Sequence, residues 1–107
     1  MWKTEYHPEA ARELKELDGS QRKVVLKAIA KVSENPLPYT DGGYGKPLGN
    51  KSGNNLTGLL KIKLKGSGLR VVYKLQKAEP DSIMRIIVVS VREDNEVYDI
   101  AAKREGR

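Results

Sequence analysis

The sequence predicts an α+β fold in which a mainly antiparallel sheet carries two helices on one face and a short helix ends the chain. Two observations support this prediction. Apolar and cationic residues alternate over positions 59–75, which is typical of a β-hairpin, and two amphipathic helical patterns precede that segment. The predicted order is an N-terminal strand, an antiparallel helical hairpin, a three-stranded antiparallel continuation of the sheet and a helix. We assign all of it to one domain, residues 1–107.

The first strand and the helical hairpin lie in the N-terminal third. Residues 2–6 alternate between Trp, Thr or Tyr and charged residues, which predicts a short strand. Pro8 suits the first turn of a helix that ends at Asp18-Gly19. Ser20 is a good N-cap for a second helix, which ends before Pro36. Each helix has one apolar stripe, so both are expected to pack on the same face of the sheet.

The predicted hairpin concentrates positive charge on one face. A two-residue loop at Ser67-Gly68 would pair Lys65 with Arg70 and Lys61 with Lys74, and Lys63 would point the same way. Like charges on neighbouring strands destabilise a sheet, so the pattern predicts an anionic group that compensates them. The alternative is a solvated face whose lysines discourage aggregation.

The remaining segments complete the sheet and its last helix. Residues 39–58 are rich in Gly and Asn and are predicted to form a loop that carries Lys46. Residues 83–92 are almost continuously apolar and predict a central, buried strand. Residues 96–104 predict a short helix, with Asp94 or Asn95 as its N-cap.

Composition limits the classes of function. The chain has 20 Lys and Arg against 14 Asp and Glu, a net charge of +6, which favours a polyanionic partner. It has no cysteine, which excludes disulfides and thiolate zinc sites and permits a reducing compartment. No apolar run has the length of a membrane span or of a signal peptide, so the expected location is the cytoplasm.

Several cations and one phenol are candidates for a common site. Arg92 ends the buried strand, and Tyr98 follows at the start of the last helix. If that helix folds over the sheet, Tyr98 joins Lys61, Lys63 and Arg70. Cations of this kind bind phosphate through charge-assisted hydrogen bonds and stabilise the negative charge that develops on it during phosphodiester cleavage. The alternative is that Tyr98 is an ordinary core residue.

Two other features of the sequence are weaker evidence for a catalytic or metal site. His7 is the only histidine, which excludes a two-histidine nuclease mechanism, and its position indicates a role at the helix entry. Glu93, Asp94 and Glu96 resemble a carboxylate metal site, but acidic residues near a helix start are explained by the helix dipole.

Residues 60–73, the run Ser90-Val91-Arg92-Glu93 and the run Glu96-Val97-Tyr98 resemble the RelE toxins of bacterial and archaeal toxin–antitoxin systems. The segments around His7-Pro8 and Lys46-Pro47 are similar to wider patterns of the RelE/ParE superfamily. The resemblance spans essentially the whole chain. It implies a RelE-like fold and a ribosome-dependent mRNA endonuclease that cuts the A-site codon by attack of a ribose 2′-hydroxyl on the adjacent phosphate. It also implies that no metal or cofactor takes part and that an acidic, RelB-like antitoxin is the partner.

The resemblance also implies a role for each site residue. Lys61 and Lys63 match the catalytic lysines, Arg70 the phosphate-stabilising arginine and Arg92 the arginine on the leaving-group side. Tyr98 matches the tyrosine that stacks on the substrate and is considered as general base. Either Lys63 or Tyr98 would remove the 2′-proton. We expect Lys46, Lys65 and Lys74 to bind substrate as further members of the cationic surface.

Two departures from the family pattern concern the site. The segment 92–98 is more acidic than expected beside an RNA site, and the loop 39–58 is long. Two alternative functions therefore stay open. One is a ParE-like inhibitor of DNA gyrase without nuclease activity, and the other is a non-catalytic basic module that binds RNA or protein.

Overall fold

A computed structural model describes residues 2–51, 53–64, 66–77 and 82–106. Within these residues a five-stranded sheet is combined with three α-helices. The elements are, in chain order, β1 (Lys3–Tyr6), α1 (Pro8–Glu16), α2 (Gly19–Val32), β2 (Lys46–Lys51), β3 (Asn54–Leu64), β4 (Leu69–Lys77), β5 (Ser82–Ser90) and α3 (Asp94–Arg104). The strand order across the sheet is β1-β5-β4-β3-β2, and every neighbouring pair is antiparallel except β1 with β5. The α+β class and the interior position of β5 are confirmed.

The sheet has a core on each face. On the face covered by α1 and α2, which we call the hairpin-helix face, the buried residues include Leu69, Val71 and Tyr73 of β4. On the opposite face, which we call the α3 face, Leu59 and Val72 pack against α3. The alternation seen in the sequence therefore separates two apolar layers, and α3 covers part of the face that carries the cations.

Side chains set the helix starts. His7 caps α1, and its Nδ1 accepts a 3.1 Å hydrogen bond from the Glu9 amide, as expected for a residue at the helix entry. The N-cap of α2 is Asp18 and not Ser20 as predicted, because the Asp18 carboxylate accepts a 2.8 Å hydrogen bond from the Gln21 amide. The helix therefore begins two residues earlier than the sequence indicated.

The predicted register of the β3–β4 hairpin is wrong by two residues. Lys63 lies opposite Arg70, and Lys61 lies opposite Val72 rather than Lys74. The strands close at Leu64–Leu69, and Gly66 and Gly68 have φ angles of 85° and 72°, which suit a longer loop than two residues. A shift by two keeps every side chain on its face, so the predicted cationic face is retained.

The segment 39–58 is more regular than predicted. Residues Tyr39–Asp41 form a 3₁₀ turn, β2 occupies 46–51, and β3 starts at Asn54. β2 pairs with β3, and Leu48 and Leu56 are buried in the core under α3. The Gly and Asn residues concealed this hairpin because its strand character comes from pairing with the neighbouring strand and not from its own composition.

The last helix begins at Asp94, two residues before the predicted start. Its N-cap is Glu93, whose side chain makes no capping hydrogen bond, whereas the sequence indicated Asp94 or Asn95 as the cap. Asp94 is instead the first helical residue, and this leaves its carboxylate available for a contact with the sheet.

An ion pair covers the edge of β5 beyond the short strand β1. Arg104 contacts Glu13 through two hydrogen bonds of 2.7 and 3.0 Å, and it also donates to the Ile87 carbonyl at 2.8 Å. Glu13 accepts a hydrogen bond from the Val89 amide. The pair thus satisfies backbone groups that a longer β1 would bind, and it joins α1 to α3 around this edge.

Candidate active site

Three of the predicted cations lie together on the α3 face. Lys63 and Arg70 are direct partners across β3 and β4, and Lys61 lies one row further along β3. Lys46 on β2 is the partner of Lys61 on its other side. Partners across a ladder point to the same face, so these four side chains form a continuous cationic surface. We call it the cationic cluster.

Tyr98 meets the cluster from the α3 side. The Lys61 ammonium donates a 2.8 Å hydrogen bond to the Tyr98 hydroxyl and lies 5.5 Å from the centre of the ring. The Tyr98 residue is only 4% exposed, because its ring packs in the core between α3 and the sheet. In this arrangement the phenol oxygen reaches the cluster, but the ring is not accessible for stacking on a base.

Arg70 is held by three groups. Its Nε forms an ion pair with the Asp94 carboxylate. Its Nη1 donates to the carbonyls of Arg92 and Gly68 at 2.7 and 2.9 Å. The guanidinium is therefore fixed between the β3–β4 turn and the start of α3, with little freedom to rotate.

Asp94 is influenced by the whole cluster. Partial burial acts to raise the pKa of its carboxyl group, but the hydrogen bond from Arg70 and the charges of Lys61, Arg70 and Lys63 outweigh burial and lower it. Asp94 is thus a carboxylate over a wide pH range.

Among the predicted catalytic residues, all of which the structure describes, Arg92 points away from the cluster. Its guanidinium forms a 2.9 Å ion pair with Glu96, and both side chains are more than half exposed. Glu96 lies two residues from both Asp94 and Tyr98, which places it on the opposite side of the first turn of α3. The backbone of Arg92 reaches the site through its carbonyl, but its charged group lies apart from the cluster.

The three lysines expected to bind substrate differ in their surroundings. Lys46 is exposed beside Lys61. Lys74 lies on the same face, but its ammonium forms a 2.8 Å ion pair with Glu105 after the end of α3, so its charge is compensated within the chain. Lys65 lies outside the described residues.

Sequence reasoning did not identify the internal anions of the site. Asp94 is paired with Arg70, and Glu105 is paired with Lys74. These two carboxylates reduce the repulsion between cations for which the sequence predicted an anionic partner. The signal for Asp94 was present, since it precedes Tyr98 by four residues and therefore shares its helix face. A carboxylate on the face of a helix that covers a cationic strand pair is a candidate partner for those cations.

The described residues contain neither a candidate metal site nor a candidate membrane-spanning helix. Residues 2–51, 53–64, 66–77 and 82–106 contain no cluster of three or more His, Asp or Glu side chains that would hold a metal ion. None of the helices described combines the length and the apolar character needed to cross a bilayer.

Comparison with known proteins gives a consistent result. No protein-family model matches the chain. A RelE-like toxin protein of Escherichia coli is 29% identical over 104 residues, covering 96% of both chains. The structure of a mutant E. coli RelE toxin in the free state matches with a TM-score of 0.70 and 26% identity over 96% of each chain. The chain is similar to RelE-type toxins in sequence and in fold over nearly its whole length.

A further solved structure places this toxin type beside its antitoxin. The same E. coli RelE mutant in complex with an antitoxin RelBc peptide matches with a TM-score of 0.67 and 26% identity, again over 96% of each chain. The resemblance to RelE toxins that the hairpin, the strand end and the last helix indicated is therefore confirmed.

Proposed function

We propose that this RelE-type toxin is a metal-independent endoribonuclease that cuts mRNA in the A site of the ribosome. The observation that carries the proposal is the 2.8 Å hydrogen bond from Lys61 to the Tyr98 hydroxyl, next to Lys63 and Arg70 on the same face. Together these side chains provide several groups that bind phosphate and one phenol within a single surface. The resemblance of nearly the whole chain to RelE toxins supports the same function.

The reaction needs only the RNA and these side chains. The ribose 2′-oxygen forms a bond to the adjacent phosphorus, and the bond from phosphorus to the 5′-oxygen of the next nucleotide breaks. The products are a 2′,3′-cyclic phosphate and a 5′-hydroxyl end. One proton leaves the 2′-hydroxyl and one is gained by the 5′-oxygen, so that no co-reactant is consumed.

Each member of the cluster has a role in that reaction. Arg70 is fixed by two carbonyls and a carboxylate, and a preorganised guanidinium stabilises negative charge that develops on the phosphate oxygens. Lys61 orients the Tyr98 hydroxyl through the 2.8 Å hydrogen bond that it donates. Tyr98 and Lys63 are the two groups suited to accept the 2′-proton. Arg92 acts at the rim of the site because its side chain is paired with Glu96.

The ribosome supplies binding energy that the free toxin lacks. Arg70, Lys74 and Arg92 are each paired with a carboxylate of the chain itself. These internal pairs reduce the net charge offered to an isolated RNA strand, so we expect weak binding to free mRNA. A cognate acidic, RelB-like antitoxin is the expected inhibitor, since it would cover the cationic cluster or displace α3.

The proposed function is tested by primer extension on an mRNA in a purified translation reaction. Ribosomes stalled with an empty A site are compared with naked mRNA, and the variants are Tyr98→Phe and the matched control Tyr39→Phe, whose ring is exposed. We expect cleavage within the A-site codon, none on naked mRNA, loss with Tyr98→Phe and full activity with Tyr39→Phe. Intact mRNA with the wild-type toxin would refute the nuclease and direct attention to gyrase supercoiling.

A further inference from the structure

We infer that the Asp94 carboxylate occupies the position of the substrate phosphate in the cationic cluster, and that Asp94 thereby sets the affinity of the site for RNA. The identity of the anion as an RNA phosphate rests on the proposed function. The position of the carboxylate is given independently by the cations of the cluster that surround it.

The position of Asp94 follows from the start of α3. Asp94 is the first residue of the helix and lies four residues before Tyr98, so both side chains point from α3 toward the sheet. There the carboxylate binds Nε of Arg70. A carboxylate and a phosphate oxygen make the same charge-assisted hydrogen bond to a guanidinium, so one can replace the other at this atom.

The charges around Asp94 are those that the substrate would use. Its carboxylate interacts with Lys61, Lys63 and Arg70 together. It also lies at the N-terminal end of α3, an eleven-residue helix whose first amide groups favour an anion. The three cations that would surround a bound phosphate are thus already arranged around one internal anion: Lys61, Lys63 and Arg70.

Asp94 is able to leave this position without unfolding α3. Its side chain is 35% exposed, whereas the helix is anchored by Val97, Tyr98 and Ala101, which are buried. Arg70 keeps its two contacts with the carbonyls of Gly68 and Arg92 when the carboxylate rotates away. An incoming phosphate therefore meets an oriented guanidinium, but it must displace a competing carboxylate first. Asp94 lowers the affinity for RNA and leaves the site geometry intact.

The inference is tested with Asp94→Asn, which keeps the shape of the side chain and removes its charge. The matched control is Glu93→Gln, which also removes one negative charge. Glu93 is the residue before Asp94, and its side chain is exposed. The ligand is an RNA that carries 2′-deoxyribose at the cleavage position and cannot be cut, and its affinity is measured by fluorescence anisotropy. We expect Asp94→Asn to bind roughly tenfold more tightly than wild type and Glu93→Gln no more than about twofold.

A second measurement locates the effect at Arg70. Inorganic phosphate is titrated into ¹⁵N-labelled toxin, and the Nε resonance of Arg70 is followed by NMR. We expect Asp94→Asn to saturate at a phosphate concentration roughly tenfold below that required by wild type. Equal phosphate and RNA affinities for Asp94→Asn and Glu93→Gln would overturn the inference, because a general change in net charge would then explain both variants.

The two proposals fail in different ways. Both binding measurements are independent of cleavage, so they remain informative if the toxin proves inactive on ribosomes. Cleavage by wild type with no tightening in Asp94→Asn would refute the role of Asp94 and keep the nuclease. Tightening in Asp94→Asn without any cleavage by wild type would support the phosphate position and refute the nuclease.

Discussion

The Lys61 ammonium and the Tyr98 hydroxyl are 2.8 Å apart, and this hydrogen bond joins β3 to α3 at the border between the core and the cationic cluster. Tyr98 is almost fully buried, while Lys61 is half-buried. The bond therefore has two consequences. It satisfies a polar atom that enters an apolar core, and it places that atom at the edge of the cationic cluster.

Lysine substitutions should separate these two consequences. We expect Lys61→Met to lower the free energy of unfolding by about 1 kcal/mol, because the Tyr98 hydroxyl loses its partner. Lys63→Met should change stability by less than about 0.5 kcal/mol, since Lys63 is exposed. Both should reduce cleavage on ribosomes by about a hundredfold. Urea unfolding and single-turnover cleavage give the two values, and equal stabilities of the two variants would argue against the coupling.

The two arginines should differ in their importance for cleavage. Arg70→Ala removes a guanidinium that three groups fix in the cluster, and we expect about a hundredfold loss of cleavage rate. Arg92→Ala removes a side chain that is paired with Glu96 away from the cluster, and we expect a loss of less than about tenfold. The measurement is single-turnover cleavage on stalled ribosomes. Losses of the same size would place the Arg92 side chain in the site during reaction.

Arg104 should contribute to stability and not to catalysis. Arg104→Ala removes the charged partner of Glu13 and the side-chain donor to the Ile87 carbonyl in a partly buried position, and we expect a loss of about 2–3 kcal/mol. The matched control is Arg12→Ala, which removes an exposed ion pair with Glu9 and should cost less than about 0.5 kcal/mol. Urea unfolding at neutral pH compares the two variants. A loss no larger for Arg104→Ala than for Arg12→Ala would show that the pair does not protect the β5 edge.

Alanine substitutions at two glycines should change the stability of the fold in opposite directions. At Gly45 an added Cβ would lie 2.2 Å from the Tyr73 hydroxyl, which is buried and bound to the Pro36 carbonyl, so Gly45→Ala should destabilise the fold by about 1–3 kcal/mol. At Gly19, the first residue of α2, an added Cβ meets no atom within 4 Å. Gly19→Ala should stabilise the fold by about 0.5 kcal/mol. Thermal unfolding of both variants checks the signs, and a neutral Gly45→Ala would contradict the packing described for Tyr73.

The ion pair of Arg70 with Asp94 should appear in the acid dependence of stability. The pKa of Asp94 is lowered in the folded state, so the pair stabilises the fold fully above the unfolded-state pKa of about 3.9 and loses this effect as pH falls through the folded-state pKa. The stability difference between wild type and Asp94→Asn should therefore shrink below about pH 4. Urea unfolding over a pH series measures it. A difference that stays constant with pH would mean that the carboxylate is not paired.

Asp18 in the helical hairpin provides a control for the pH dependence of stability. The pKa of Asp18 is also lowered, through hydrogen bonds from the Gln21 amide and the Ser20 hydroxyl. Asparagine caps helices as well as aspartate, so Asp18→Asn removes only the charge. Its stability difference from wild type should shrink in the same direction on acidification, and it lies on the opposite side of the sheet from the cluster.

The sequence pattern alone predicted the structure of a segment where its apolar residues followed a single helical or strand periodicity. The helical stripes predicted α1 and α2, and the alternation in residues 59–75 predicted which side chains of β3 and β4 share a face. Patterns were insufficient where pairing decides structure. The strand β2 has Pro, Gly and Asn at three of its four central positions, and its ladder with β3 makes it extended. The register of β3 with β4 depended on the loop glycines, which composition alone does not resolve.

The sequence by itself determined that Lys61, Lys63 and Arg70 lie on one face, because side chains alternate along a strand and a shift of two residues preserves the face. Only the tertiary structure decided which of these charges are compensated and by what. α3 is placed over that face by the burial of Val97, Tyr98 and Ala101, which are remote in sequence from the strands they cover. Long-range packing of this kind has no local signature, and it brings Asp94 to Arg70.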